Sequence, residues 1–157
     1  MRSKRGCSGW PWMALAFIAD RITKAAVAGL ASPRTLIPGV LRLKPVRNTG
    51  VAFSMLSGTG APVAVGTALV LAALTVYLLK KPDEPPLVRA GLWLIVGGGL
   101  GNLADRLIHG AVLDFIEPIF VRFAIFNVAD VCVCVGAALA ALGLLMAETR
   151  KKERDDG

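Results

Sequence analysis

One histidine and three cysteines are all the imidazole and thiol ligands this 157-residue chain offers a metal. No Cys/His cluster has metal-ligand spacing, so a zinc centre fits poorly. The cysteines suggest no disulfide framework either. Cys132 and Cys134 lie two apart in an apolar helical run and point in different directions, as small packing residues, and Cys7 reads as a free cytoplasmic thiol. There is no GxSxG nucleophile turn. GGGLGN, residues 97–102, is glycine-rich but follows an apolar helical run rather than a strand, so it is no phosphate loop. Internal repeats and low-complexity tracts are also missing. What remains is chemistry that oxygen-bearing side chains can do without help.

What the chain has in quantity is apolar surface: 55% of its residues are hydrophobic and the mean hydropathy is +0.62. A hydrocarbon core takes about 20 residues at about 1.5 Å each. Four windows approach that length, roughly 10–31, 61–79, 87–104 and 124–146. The third is short and carries Arg89 near its start, where a long side chain snorkels to the interface. The reading is an all-α polytopic membrane protein, one domain over 1–157, with four transmembrane helices. The net charge of +7 does not indicate nucleic acid, because it is distributed by topology. Arg2, Lys4, Arg5, then Lys80, Lys81, Arg89, then Arg150, Lys151, Lys152 and Arg154 make ten of the 18 basic residues. All fall on one side of a four-span chain, and the positive-inside rule makes that side, with both termini, cytoplasmic. Loops 32–60 and 105–123 then face outward. The first window resembles a cleavable export signal in outline, but Asp20, Arg21 and Lys24 within it oppose that reading.

The first outer loop is predicted to hold a small β-element. In LIPGVLRLKPV, Leu41 and Leu43 alternate with Arg42 and Lys44, as in a strand or hairpin at the membrane surface. Its continuation NTGVAFSMLSG is too apolar for a solvated loop and suggests a half-helical or re-entrant segment near 48–57, tolerated where protein covers the backbone. There Asn48 would bond a bound backbone, leaving the proton chemistry untouched, and Phe53 and Met55 would supply apolar cover.

Polar residues collect towards the outer ends of the spans. Asp20, Thr23 and Lys24 share one face of the first, where an ion pair either fixes packing or holds substrate. Asn102, Asp105 and Arg106 suggest a hydrogen-bonded cluster at the end of the third, with Asp105 kept ionised by Arg106. Asp114 lies in GAVLDFIEP of the second outer loop. Asp130, with Asn127, enters from the fourth span, about 9 Å below an end near residue 124 at about 1.5 Å per residue. His109 and Glu117 read as interfacial side chains. Ionisable groups at membrane depth are costly and mark function by default. Two carboxylates in one partly desolvated site share a proton, so one member activates water while the other protonates a carbonyl oxygen or leaving amine. A proton-coupled transporter would use the same acids.

Five blocks in order resemble lipoprotein signal peptidase, the signal peptidase II family: DRITK at 20–24, NTGVAFS at 48–54, GGLGNLADR at 98–106, GAVLDFI at 110–116 and FNVAD at 126–130. The resemblance implies a four-span aspartyl endopeptidase of the bacterial inner membrane, with its active site near the extracytoplasmic face. It would remove the signal peptide of diacylglyceryl-modified prolipoproteins on the N-terminal side of the lipidated cysteine. It implies Asp114 and Asp130 as catalytic dyad, and Asp20, Lys24, Asn48, Gly50, Asn102, Asp105, Arg106, Asn127 and Ala129 as substrate-binding or orienting residues. No metal and no cofactor are expected; the partners are the prolipoprotein and membrane lipid, with no nucleic acid and no required oligomer. Phe123-Ala124-Ile125 departs from the aromatic or proline-containing approach of many members.

Overall fold

The computed structural model describes residues 9–50 and 60–155. Four helices, α1 (Trp10–Val27), α2 (Gly60–Lys80), α3 (Pro86–His109) and α4 (Val128–Asp155), run up and down. Three strands, β1 (Arg34–Ile37), β2 (Leu41–Asn48) and β3 (Val112–Pro118), gather at one end. α3 is the centre and packs against each of the other helices. Its glycines permit this: a Cβ at Gly97 would strike the backbone of Met13 in α1, and one at Gly98 would lie 2.5 Å from the Ala129 carbonyl oxygen in α4. At Gly101 it would strike the Asp20 carboxylate. The apolar core is small, built on Leu78, Trp93 and Val96. Large apolar side chains such as Leu15, Ile22, Leu69, Leu79 and Leu145 face outward instead, as expected of a chain whose solvent is lipid.

α2, α3 and α4 are long and apolar enough to cross a membrane. α1 is not among them, because Asp20, Arg21 and Lys24 interrupt its hydropathy. The fourth helix starts at Val128, not near 124. Phe126 instead pairs with Ile116 of β3, so the approach is extended and Asp130 sits in the first turn, only about 3 Å along the axis from the helix start. Arg89 does not snorkel. It is buried and donates to the carbonyl oxygens of Leu78 (3.1 Å) and Lys81 (2.8 Å), where the unpaired end of α2 attracts a cation.

The expected surface hairpin is β1–β2, and the second outer loop supplies a third strand that extends it. α3 runs five residues past its predicted end to His109. Gly110, at φ +69°, stops it with its N–H on the Arg106 carbonyl oxygen, and β3 follows almost at once. Both pairings are antiparallel, with a register shift between Leu43 and Val46 where Pro45 has no N–H to give the ladder. The expected half-helical segment falls mostly on residues 51–59, outside the described residues, as does Cys7.

Candidate active site

The sheet register is what brings the first polar side chains together. Val46 opposes Asp114 and Asn48 opposes Val112, so Asn48 is the diagonal neighbour of Asp114 on one face. Asn48 Nδ2 donates to Asp114 Oδ2 at 2.9 Å, while its Oδ1 accepts the Gly50 N–H at 3.0 Å. Asn48 therefore touches a carboxylate of the expected dyad, contrary to a role confined to a bound backbone. The Gly50 carbonyl oxygen in turn accepts from Arg106 Nη2 at 3.0 Å.

The second carboxylate arrives through the N-terminus of α4. Asn127 caps that helix: its Oδ1 accepts the Asp130 N–H at 3.0 Å, and Asp130 Oδ2 accepts the Asn127 N–H at 3.0 Å. This reciprocal box satisfies two donors that a helix start leaves open. It leaves Asn127 Nδ2 free to donate to Asp114 Oδ1 at 2.7 Å and to Asn102 Oδ1 at 3.0 Å. Asn102 Nδ2 donates to the other oxygen of Asp130 at 2.8 Å. Each carboxylate thus receives two N–H donors, and two asparagines join them. Asp114 and Asn127 are buried. Burial pushes the Asp114 carboxyl up to about 6, the nearby Asp130 charge adding to this and the Asn48 and Asn127 N–H groups opposing it.

Behind the pair lies a neutral network of two acids and two bases. Lys24 Nζ reaches Asp20 Oδ1 (3.0 Å), Asp105 Oδ2 (2.7 Å) and Asn102 Oδ1 (2.9 Å), one acceptor for each of its three protons. Arg21 bridges the same two acids, at 2.6 Å to Asp20 and 2.8 Å to Asp105. Asp105 Oδ2 also accepts the Leu113 N–H, and Asp20 Oδ1 that of Ala129. The expected Asp20–Lys24 pair is present. The expected Asn102–Asp105–Arg106 cluster is present only in part: successive helical residues point about 100° apart, so Asp105 turns to α1 while Arg106 turns to Gly50 and, at 3.5 Å, to the Asn102 carbonyl oxygen. Arg21 belongs to this network, and sequence reasoning had taken it only as an obstacle to export. Its position beside Asp20 was the available signal. Thr23 bonds back to the Ala19 and Asp20 carbonyl oxygens and takes no part.

Asp114 and Asp130 line a cavity of about 540 Å³ whose walls include Asn48, Asn102, Phe123–Phe126, Arg106 and the α4 face from Val131 to Val135. His109 is exposed and not among the cavity walls. Glu117 is bound by Arg42 at 2.6 Å and Lys44 at 3.5 Å, and the Arg42 guanidinium holds its carboxyl below the usual range. Cys134 lines this cavity, whereas Cys132 does not.

The family model described as "Signal peptidase (SPase) II" matches residues 12–146. The chain is 41% identical over 142 residues to a lipoprotein signal peptidase of Symbiobacterium thermophilum, covering 87% of this chain and 93% of that one. It is 36% identical over 146 residues to one of Gloeobacter violaceus, covering 90% and 84%. A solved bacterial membrane enzyme, determined by the in meso method at 2.3 Å, superposes with a TM-score of 0.83 at 31% identity, covering 92% of each chain.

Proposed function

The chain belongs to the signal peptidase II family, and from that premise we propose that it is an aspartyl endopeptidase acting on diacylglyceryl-modified prolipoproteins, with Asp114 and Asp130 as its catalytic pair. Family membership makes it a bacterial membrane protein that cleaves the signal peptides of prolipoproteins. The observation that carries the finer reading is the pair of carboxylates joined through Asn127 and Asn102 at the wall of one cavity.

Asp114, the buried member with the raised pKa, holds the shared proton. Asp130 takes a proton from water, the resulting hydroxide adds to the scissile carbonyl carbon, and Asp114 protonates the carbonyl oxygen. As the C–N bond breaks, Asp130 returns its proton to the departing amine of the lipidated cysteine and Asp114 recovers its own. Asn48, Asn102 and Asn127 orient the carboxylates. Asp20, Lys24, Asp105 and the Ala129 N–H hold those amides in place, while Arg106 and Gly50 anchor the start of the outer segment. Metal and cofactor are not required.

Four spans are the topology this reading adopts. α1 qualifies although it is charged, because Asp20, Arg21 and Lys24 turn inward to one another and to α3 while Leu15, Ile18 and Ile22 face outward. Pairing offsets most of the cost of such charges in lipid. With the termini cytoplasmic, the site lies near the extracytoplasmic face of the inner membrane, at the depth where a signal peptide leaves the bilayer. A transporter that uses the same acids has no support in the relatives.

The test is cleavage of a diacylglyceryl-modified prolipoprotein by the purified chain in detergent, read as a gel shift without any ion gradient. Asp114→Asn and Asp130→Asn should each abolish it while the protein stays folded, since an amide keeps the shape but cannot exchange the proton. Cleavage near the wild-type rate by either variant removes that residue from the mechanism.

A further inference from the structure

The dyad cavity has a neighbour. A second cavity, of about 810 Å³, shares Asn48, Asp114 and Phe123–Ile125 with the first but opens on the sheet side, where Arg42, Glu117 and Arg122 line it. The two differ in character. The first continues along the apolar face of α4 past Val131, Cys134 and Val135, a direction that leads into the bilayer on the topology adopted above. The second is walled by strands and the 119–125 loop, which that topology puts outside the hydrocarbon region. A peptide cut at Asp114 has an apolar signal half and a polar mature half, and these must leave by different routes.

The charge around the second cavity is not balanced. Residues 28–50 and 110–127 hold Arg34, Arg42, Lys44, Arg47 and Arg122 against Asp114 and Glu117. Glu117 is already engaged by Arg42 and Lys44, and Asp114 by Asn48 and Asn127. Arg122 is exposed and has no ion-pair or hydrogen-bond partner among the described residues. It stands at the wall of the cavity as a cation whose donors engage no described residue.

Resting on the peptidase reading above, we propose that the sheet-side cavity receives the first residues of the mature chain, and that Arg122 makes the enzyme favour acidic over basic side chains there. An arginine offers five donors in a planar fork suited to a carboxylate. At an exposed site the attraction is modest, and a basic substrate meets a repulsion of similar size. The discrimination between the two is therefore about three- to tenfold in kcat/KM, and it shrinks as salt screens the pair.

The experiment uses the full chain in zwitterionic detergent and three diacylglyceryl-modified prolipoproteins that differ only at the second to fourth residues after the lipidated cysteine: acidic, serine or lysine. The expected order of kcat/KM at low salt is acidic, serine, lysine, compressed at high salt. Arg122→Gln, shown to be folded by thermal unfolding in detergent, should flatten the order, and Arg122→Glu should invert it. Equal rates for all three in the wild type, or an order that survives Arg122→Glu, overturns the proposal. So does a rate that follows added anionic lipid through Arg122 whatever the substrate, which would make the residue a headgroup site. Failure of the wild type to cut even the serine substrate would instead sink the peptidase reading and this one with it.

Discussion

Replacing Asn127 by alanine tests the claim that one side chain both starts α4 and aligns the dyad. The change removes a cap acceptor to the Asp130 N–H at 3.0 Å and two donations, to Asp114 at 2.7 Å and to Asn102 at 3.0 Å. Loss of an asparagine cap costs about 1 kcal/mol. Leaving a buried acceptor without its donor costs about 1–3 kcal/mol, and Asp114 is buried. The sum is about 3 kcal/mol of stability. Activity should fall further, by about a hundredfold in kcat, the scale seen when one preorganised donor at a reacting centre is lost. Asn127→Ser separates the two duties: serine caps well but is too short to donate to Asp114 and Asn102. Thermal unfolding in detergent should therefore show Ser recovering about 1 kcal/mol over Ala, while both remain equally poor catalysts with the lipidated substrate. If Ser restores kcat together with stability, or if Ala keeps the wild-type kcat, Asn127 is a helix cap and nothing more.

Other outcomes follow from the same geometry. Asp114 must carry its proton to serve as the acid, and burial raises its pKa to about 6, so kcat/KM should be lost as pH rises through that value; the Asn48 N–H favours the ionised form, so Asn48→Ala should move this alkaline limb upward as well as lower the rate. An unmoved limb would show that Asn48 does not act on Asp114. Alkylation of Cys134 with a bulky apolar maleimide should block cleavage, with Cys134→Ala resistant and Cys132→Ala still sensitive, because Cys134 lines the cavity and Cys132 does not; the reverse pattern would put the substrate elsewhere. Chelators should leave the rate unchanged, and a loss restored by one divalent ion would point to a carboxylate metal site.

Hydropathy located the four helices because each carries a long apolar face, and the alternation of Leu41 to Lys44 located the hairpin. β3 was not legible. Val112–Pro118 is buried at Val112, Asp114 and Phe115, so it lacks a clean alternation, and its pairing partner β2 lies about 70 residues away. The start of α4 was misplaced for a related reason: 124–126 is apolar like a helix, but the Phe126 N–H and carbonyl oxygen are bonded to β3, at Ile116 and Phe115. Within the site, residue types at helical spacing gave Asp20 with Lys24. Spacing along one helix could not say that Asp105 pairs across to α1, because that choice is made by packing at Gly97 and Gly101.

That packing also explains why the site needs charges so far from the reacting atoms. An asparagine amide can present either end, and what selects the end is the neighbour that cannot change. Lys24 only donates, so the atom of Asn102 facing it must be Oδ1, and Nδ2 is thereby turned to Asp130. Lys24 is itself held by Asp20 and Asp105, and those by Arg21, the Ala129 N–H and the Leu113 N–H. The chain of constraint runs from a net-neutral cluster between α1 and α3, through one amide, to the carboxylate on α4. Removing one member of such a cluster leaves an uncompensated charge in a low-dielectric interior, which costs far more than an exposed pair would. The same bonds therefore tie the helices together and fix the orientation of Asp130, so the stability of the bundle and the alignment of the proposed dyad are one property.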